Sequence, residues 1–119
     1  MSKAVDNKPT CGADEHPQHV HERRSASLLE EASSLFSALG DTARLRLMEL
    51  LFDGPHCVSE LAQETGQSMS LVSQRLKILH QAKLVKKERV GKHIYYRLAD
   101  EHIVQLLSNA FDHVETPDH

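Results

Sequence analysis

Apolar residues recur at three- and four-residue steps along most of the chain after residue 25, the spacing that gives an α-helix one apolar face. The first such stripe consists of Leu28, Leu29, Ala32, Leu35, Phe36 and Leu39. Further helices are predicted over residues 42–52, 58–65, 69–84 and 101–116. Gly40, the Gly54–Pro55 pair and Gly66 are placed to end helices, and Asp41, Ser68 and Asp100 are placed to cap them. The pattern therefore predicts a mainly α-helical domain.

The third and fourth predicted helices are joined by a few residues that include Gly66, an arrangement typical of a helix-turn-helix. In the fourth helix, helical spacing turns an apolar set inward, namely Val72, Leu76, Leu79 and the stem of Lys83. The same spacing turns a polar set outward, namely Ser70, Ser73, Gln74 and Lys77. We predict that the outward set meets the major groove of DNA.

Two segments rich in Val, Ile and Tyr, residues 84–90 and 93–99, flank Gly91 and Lys92. β-Branched and aromatic residues around a short turn with glycine favour a β-hairpin over further helix. The tip of this hairpin is basic, and Arg89, Lys92 and His93 are candidates for phosphate contact. Tyr95 and Tyr96 are expected to pack within the hairpin rather than to stack on bases.

The chain has 119 residues, of which 39% are hydrophobic, a composition that fits one soluble domain. With only three Phe, two Tyr and no Trp, its small aliphatic core is expected to need a partner chain, which favours a homodimer. Apolar residues show no periodic spacing in residues 1–24, which predicts a flexible arm there. A domain over residues 25–115 and a tail over residues 116–119 are expected to follow. No segment resembles a signal peptide or a membrane span, so the protein is expected in the cytoplasm, without a membrane partner.

Charge is distributed unevenly along the chain. Residues 68–97 contain eight Lys or Arg and one acidic residue, a net charge of +7, whereas the whole chain carries −3 and its remainder therefore −10. Such a concentration is typical of a surface that contacts phosphates, although many charge runs are simply solvated. The charge pattern indicates nucleic acid as a partner.

The chain contains nine His, a high count for its length, and two Cys. Two cysteines are too few for a disulfide framework, which leaves thiols or metal ligands. His102 and His113 stand three helical turns apart on one side of the last helix, about 16 Å along its axis, so one ion cannot bind both. They are either unrelated surface residues or halves of two sites that another chain completes. His56 is expected in a loop, and His80 near the end of the fourth helix.

Three stretches, "FSALGDTARLRLMELL", "CVSELAQETGQSMSLVSQRLKILHQAKLV" and "KKERVGKHIYYRL", occur in this order. Together they resemble the ArsR/SmtB family of metal-sensing winged-helix repressors, and the likeness runs from about Leu35 to Val114. The resemblance implies a mainly α fold with a β-hairpin wing (α+β), a winged helix-turn-helix that binds operator DNA as a homodimer. It also implies that metal binding weakens the DNA complex.

The family has a metal site on its C-terminal helices, and Asp100, His102 and His113 match its ligands. Antiparallel helices that cross a twofold axis would place position 102 of one chain beside position 113 of its partner, giving two symmetric sites. Thr116 stands at the family's fourth ligand position and is a poor ligand, so Glu115, Asp118, His119 or a water molecule would have to substitute. The alternative is that Asp100 is only a helix cap and that the histidines are surface residues.

A second family site joins the N-terminal arm to the first helix of the helix-turn-helix. Cys57 and Glu60, three residues apart on one helical face, match its helix positions. Cys11 with His16, His19 or His21 would supply the arm's ligands, unless the arm is disordered beside a structural Cys57. Such donors suit zinc, with cobalt, nickel or cadmium as alternatives. Thiophilic sensing of arsenic, lead or cadmium is less favoured, because Ser59 replaces the second Cys of a Cys-x-Cys pair.

The sequence thus predicts a zinc-responsive repressor that lacks enzymatic activity and a small-molecule substrate. One alternative keeps the DNA-binding fold but replaces metal by a thiol switch at Cys11 and Cys57. A metal-dependent hydrolase is disfavoured, since no HExxH motif fixes a metal beside a general base. A zinc buffer would bind no operator, so a DNA-binding measurement separates that role from repression.

Overall fold

The computed structural model describes residues 22–117, most of which are helical. The α-helices are α1 Ala26–Leu39, α2 Thr42–Leu50, α3 Val58–Thr65, α4 Met69–Gln81 and α5 Glu101–Glu115. The three predicted caps are confirmed: Asp41, Ser68 and Asp100 each accept the backbone N–H three residues further on, and Ser25 does the same for α1. Each cap satisfies an N–H that has no partner within its helix, which determines where the helix begins.

The second helix ends earlier than its apolar pattern predicted. α2 stops at Leu50 and continues as one 3₁₀ turn, Leu51–Asp53. Gly54 then adopts a φ of 129°, which takes the chain out of helical geometry. The predicted stop at the Gly54–Pro55 pair is therefore confirmed, although the last turn before it is tighter than an α-helix.

The fourth helix also ends before its predicted limit. α4 stops at Gln81, Ala82 caps it, and Lys83 takes a positive φ of 64°. The prediction that the Lys83 stem faces inward was wrong, because the chain has already left the helix and the side chain is 84% exposed. Its Nζ lies 3.7 Å from Oε1 of Glu31 on α1.

Three strands form one antiparallel sheet in the order β1-β3-β2, with β1 at His56–Cys57, β2 at Val85–Val90 and β3 at His93–Leu98. The predicted hairpin is confirmed: Val90 pairs with His93 across the two-residue turn, and Gly91 has the φ of 64° that this turn requires. β1 was not predicted. His56 therefore lies in a strand, paired with Tyr96, and not in a loop as expected.

The core lies where α2, α3 and α4 meet the sheet. Its largest fully buried side chains are Leu47, Met48, Leu61, Val72, Leu76, Leu79, Leu84 and Val85. α5 contributes Ile103 and Leu107 to the same cluster. α1 differs, because Leu28, Leu29 and Phe36 from its apolar stripe are 47%, 58% and 58% exposed. Within residues 22–117, no helix has the length and apolar character needed to cross a membrane.

Candidate DNA interface and metal ligands

The outer face of α4 carries the side chains predicted to read DNA. Ser70, Ser73, Gln74 and Lys77 are all exposed, whereas Val72, Leu76 and Leu79 are buried. The predicted orientation of both sets is therefore confirmed. Exposed serine, glutamine and lysine on one helical face provide donors and acceptors for base edges and a cation for phosphates.

Gly66 shapes the turn that joins α3 to α4. Its φ of 70° lies in the left-handed region, which glycine occupies without strain, and it caps the C-terminus of α3. The N–H of Gln67 donates to the carbonyl of Ala62 at 3.2 Å, which holds the turn against α3. After this turn Ser68 starts α4, so the helix-turn-helix follows from two capping residues close together in the chain.

The hairpin of β2 and β3 extends the basic surface beyond α4. Arg89, Lys92 and His93 are exposed at its tip, as predicted. His93 also packs against Tyr95 with ring centroids 6.3 Å apart. At the other end of the hairpin, Tyr96 packs against the core, and burial raises the pKa of its phenol. The hairpin is thus anchored by its inner tyrosine and presents cations at its tip.

Asp100 and His102 lie together at the N-terminus of α5. Oδ1 of Asp100 accepts the N–H of Ile103 at 3.1 Å, and the same oxygen lies 3.5 Å from Nδ1 of His102. The His102 side chain is 97% exposed and that of Asp100 52%. Within residues 22–117, capping uses Oδ1 alone and leaves Oδ2 to a further partner. A carboxylate and an imidazole at an open helix end fit part of the ligand set of a divalent cation.

The other end of α5 contains His113 and the candidates for a fourth ligand. His113 and Glu115 lie in the last turn, and both are exposed. Oγ1 of Thr116 donates to the carbonyl of Asp112 at 2.8 Å, so this hydroxyl belongs to the helix C-cap. Asp118 and His119, the remaining candidates, lie outside the described residues.

Cys57 and Glu60 form the cap of α3 and do not share a helical face. Cys57 is the last residue of β1, its N–H donates to Oε1 of Glu60 at 2.9 Å, and its Sγ lies 3.1 Å from Oγ of Ser59. The hydrogen bonds from the backbone and side chain of Cys57 lower the pKa of Glu60, with smaller effects of His56 and His93. The three-residue spacing still brings the Cys57 thiol and the Glu60 carboxylate together, because Glu60 caps the backbone N–H of Cys57 at the start of α3.

His56 is a neighbour of this pair that sequence reasoning missed. Its Nε2 lies 2.7 Å from Oδ1 of Asp53, and its Nδ1 lies 3.7 Å from Oε1 of Glu60. The sequence contains a signal for these contacts, since three- and four-residue spacings separate the groups. His56 was expected in a loop, where side chains at such spacings have no defined relative position. The contacts with Asp53 and Glu60 could therefore not be predicted.

The described part of the chain holds two partial ligand sets, Asp100 with His102 and Cys57 with Glu60. Across residues 22–117, no three His, Cys, Asp or Glu side chains gather closely enough to hold one metal ion. The predicted arm ligands Cys11, His16, His19 and His21 lie outside the described residues.

The family model described as "Bacterial regulatory protein, arsR family" matches residues 41–87, from the cap of α2 into β2. The transcriptional repressor SmtB homolog of Synechocystis sp. is 38% identical over 112 residues, which cover 94% of this chain and 85% of that protein. The chain belongs to the ArsR family. A second relative, the cadmium resistance transcriptional regulatory protein CadC homolog of Staphylococcus aureus, is 33% identical over 84 residues, covering 70% of this chain and 69% of the other.

Among solved structures, this ArsR-family chain resembles a homodimeric winged helix-turn-helix DNA-binding domain from Mycobacterium bovis. The TM-score is 0.77 at 27% identity, covering 86% of this chain and 94% of the other. The predicted fold class, a winged helix-turn-helix with a β-hairpin wing, is thereby confirmed. The family is one of DNA-binding transcriptional regulators, and the matched residues 41–87 include the whole outer face of α4.

Proposed function

We propose that the chain is a zinc-responsive transcriptional repressor. In this proposal the apo homodimer binds operator DNA, and metal binding releases it, which controls genes for metal efflux or sequestration. The family supports the regulatory part, and the cadmium resistance regulator among the relatives supports metal as the signal.

The DNA-binding part of the proposal rests on α4 and the wing. Residues 68–97 carry a net charge of +7 in a chain of net charge −3, and most of the cations lie on α4 or the hairpin. The exposed face of α4 fits the major groove, and the wing fits adjacent phosphates. In a twofold dimer the two α4 helices would enter successive major grooves, about 34 Å apart.

Exposed apolar side chains on α1 support the homodimer. Leu28, Leu29 and Phe36 are each about half exposed in the single chain, although they belong to one helical stripe. Large apolar patches of this kind mark protein interfaces. A homodimeric solved relative of the same fold agrees with this assignment.

One observation carries the metal-responsive part: Asp100 and His102 meet at the start of α5, and His113 follows at its end. In antiparallel α5 helices across a twofold axis, the Asp100–His102 pair would lie beside His113 of the partner subunit. Each site would then hold one carboxylate and two imidazoles, which suits four-coordinate zinc. Glu115, Asp118, His119 or a water molecule would complete the shell.

This ligand arrangement explains how metal binding would act on DNA. Because each site takes ligands from both protomers, it sets the angle and spacing between them, and hence between the two α4 helices. A ligand shifts an equilibrium only if it binds one state better. The α5 ligands must therefore bind zinc most tightly in a dimer geometry in which the distance between the two α4 helices does not match the operator.

The test is a zinc titration with DNA affinity as the readout, on a duplex selected from a random pool by the apo protein. His102→Ala and His113→Ala should keep the apo affinity and abolish zinc-induced release. Cys57→Ser is the matched control and should retain most of that release. The coupling should be about 1–3 kcal/mol or more, the usual range for allosteric ligands. Loss of the response in Cys57→Ser alone, or release by oxidant without zinc, would contradict the proposal.

A further inference from the structure

A cleft of about 410 Å³ opens between α2, the end of α3 and α4. Its α2 wall consists of Ala43, Arg46 and Leu50, which recur at three- and four-residue steps and therefore share one face of that helix. α4 contributes Arg75 to the lining, and the end of α3 contributes Glu64. The volume falls within the range of small-molecule sites, so the cleft has room for more than an inorganic ion.

The cleft is turned away from the surface of α4 that is predicted to read DNA. Successive residues on a helix are about 100° apart, which places Arg75 about 140–160° around the axis from Ser70, Ser73 and Lys77. Arg75 therefore lies on the side of α4 that faces α2. A ligand in the cleft would need no space on the groove-facing surface.

Arg75 is the residue of the cleft that most needs a partner. Its side chain is partly buried, and within residues 22–117 its guanidinium forms no hydrogen bond or salt bridge. A guanidinium presents N–H donors in a planar fork, and removing such donors from water without an acceptor is unfavourable. The fork matches the two oxygens of a carboxylate, which it can bind through two parallel hydrogen bonds.

The charges around the cleft favour an anion with a single negative charge. Two arginines and one glutamate line it, which gives the lining a net charge of +1. Arg46 also contacts the carboxylate of Glu49, but these two side chains are 62% and 48% exposed. Exposed ion pairs contribute little to stability, so a ligand can compete with Glu49 for Arg46. Glu64 opposes a second negative charge in the cleft.

The remaining lining residues indicate an organic ligand. Ala43 and Leu50 provide apolar side chains on the same face of α2 as Arg46. The hydroxyl of Thr65 donates to the carbonyl of Leu61 at 2.8 Å, so its proton is already used within α3. Apolar walls beside a few polar groups are typical of sites for small organic molecules.

We propose that this cleft binds a small organic carboxylate with one negative charge. Arg75 and Arg46 hold the carboxylate oxygens, and Ala43 and Leu50 contact the apolar part of the ligand. The inference goes beyond the proposed function, because binding here requires neither metal nor DNA. The ligand connects α2 to α4, the helix that carries the groove-facing residues.

The first test is an NMR titration of the ¹⁵N-labelled full chain with butyrate, exchanged for chloride at constant ionic strength and read from the arginine Nε–H signals. Butyrate should shift the signals of Arg46 and Arg75 to saturation. Arg75→Gln should weaken binding by about tenfold or more, the usual effect of losing a hydrogen bond to a charged group. Arg75→Lys keeps the charge but not the fork and should fall between the two. Arg24→Gln removes an exposed charge outside the cleft and, as the matched control, should keep the wild-type affinity.

The second test compares ligands of different chemistry. Acetate lacks most of the apolar chain of butyrate and should bind more weakly than butyrate. Inorganic phosphate carries up to two negative charges at neutral pH and should also bind more weakly. Glu64→Gln removes the opposing carboxylate, so it should strengthen the binding of both anions and that of phosphate more. Tighter binding of phosphate than of butyrate by the wild type would contradict the assignment to a carboxylate.

Three results would overturn the proposal. The first is a shift that grows without saturating, or that affects Arg24 as much as Arg75, because either indicates only non-specific ion pairing. The second is wild-type affinity for butyrate in Arg75→Gln. Urea unfolding without ligand checks the fold of each variant. If Arg75→Gln does not fold, Arg46→Gln and Arg75→Lys replace it, and wild-type affinity in both is the third contradicting result.

Discussion

Gln74 is exposed on α4, and its side-chain amide can pair with both the donor and the acceptor of adenine in the major groove. Ser73 lies beside it on the same exposed surface. Gln74→Ala should therefore reduce the affinity ratio between operator and random DNA more than it reduces the non-specific affinity. Titration of both duplexes measures the ratio, with the exposed Gln63→Ala on α3 as control. An unchanged ratio would remove Gln74 from the residues that read bases.

Glu60 makes the stability of α3 depend on pH. Its folded-state pKa is lowered, first by the backbone N–H of Cys57, so its capping contribution is present above the ordinary glutamate pKa of about 4.3. The contribution disappears as pH falls through the lower, folded-state pKa. The unfolding free energies of wild type and Glu60→Gln, measured in urea, should differ at neutral pH and converge in acid. A difference independent of pH would show that the carboxylate does not act as a titrating cap.

At the scale of elements, the helix-turn-helix depends on one backbone conformation. Gly66 has a φ of 70°, and a Cβ there would meet no atom within 4 Å. Glycine is therefore needed at this position for its left-handed backbone conformation and not for lack of space. Gly66→Ala should destabilise the fold by about 1 kcal/mol, the cost of a left-handed alanine. Gly40→Ala, at an ordinary φ of −80°, is the control and should change stability less. Urea unfolding measures both, and equal effects would contradict this account of the turn.

The wing and α4 act as elements that neutralise phosphates. Lys77 on α4 and Arg89 and Lys92 on the hairpin are exposed and lie in the segment of net charge +7. Replacing any one by Ala should weaken binding to all sequences alike and make the salt slope shallower by about one unit, since one phosphate is then no longer neutralised. If the slope stays constant in all three variants, the hairpin and Lys77 do not contact phosphates.

At the scale of the whole molecule, the question is whether the α5 ligands of one chain are completed by its partner. His102 and His113 are separated by about 16 Å of helix axis, too far to share an ion within one chain. A mixed dimer of His102→Ala and His113→Ala chains separates the alternatives. A shared arrangement leaves one site with both histidines and one with neither, so the heterodimer should bind one zinc ion strongly. Calorimetry on the purified heterodimer counts the ions, and finding none would refute sharing.

Much of the architecture follows from the sequence because its causes are local. Asp41, Ser68 and Asp100 each bond to an N–H only three residues away, so their helices begin where the capping residues predicted. The inward and outward faces of α4 follow from helical spacing. The Gly91 turn follows from its need for positive φ. In these cases one short segment contains both the group and its partner.

The tertiary structure determined the features that depend on contacts between residues distant in the sequence. β1 has two residues, too few for a pattern, and exists because Tyr95 and Tyr96 of β3 offer backbone partners. Arg46 of α2 and Arg75 of α4 line one cleft only because α2 packs beside α4. The family resemblance grouped Asp100 with His102, and the structure brings the two side chains together at the start of α5. The position of His113 relative to that pair depends on how two chains meet. Local hydrogen bonds determine where elements begin, but packing between elements determines which side chains they bring together.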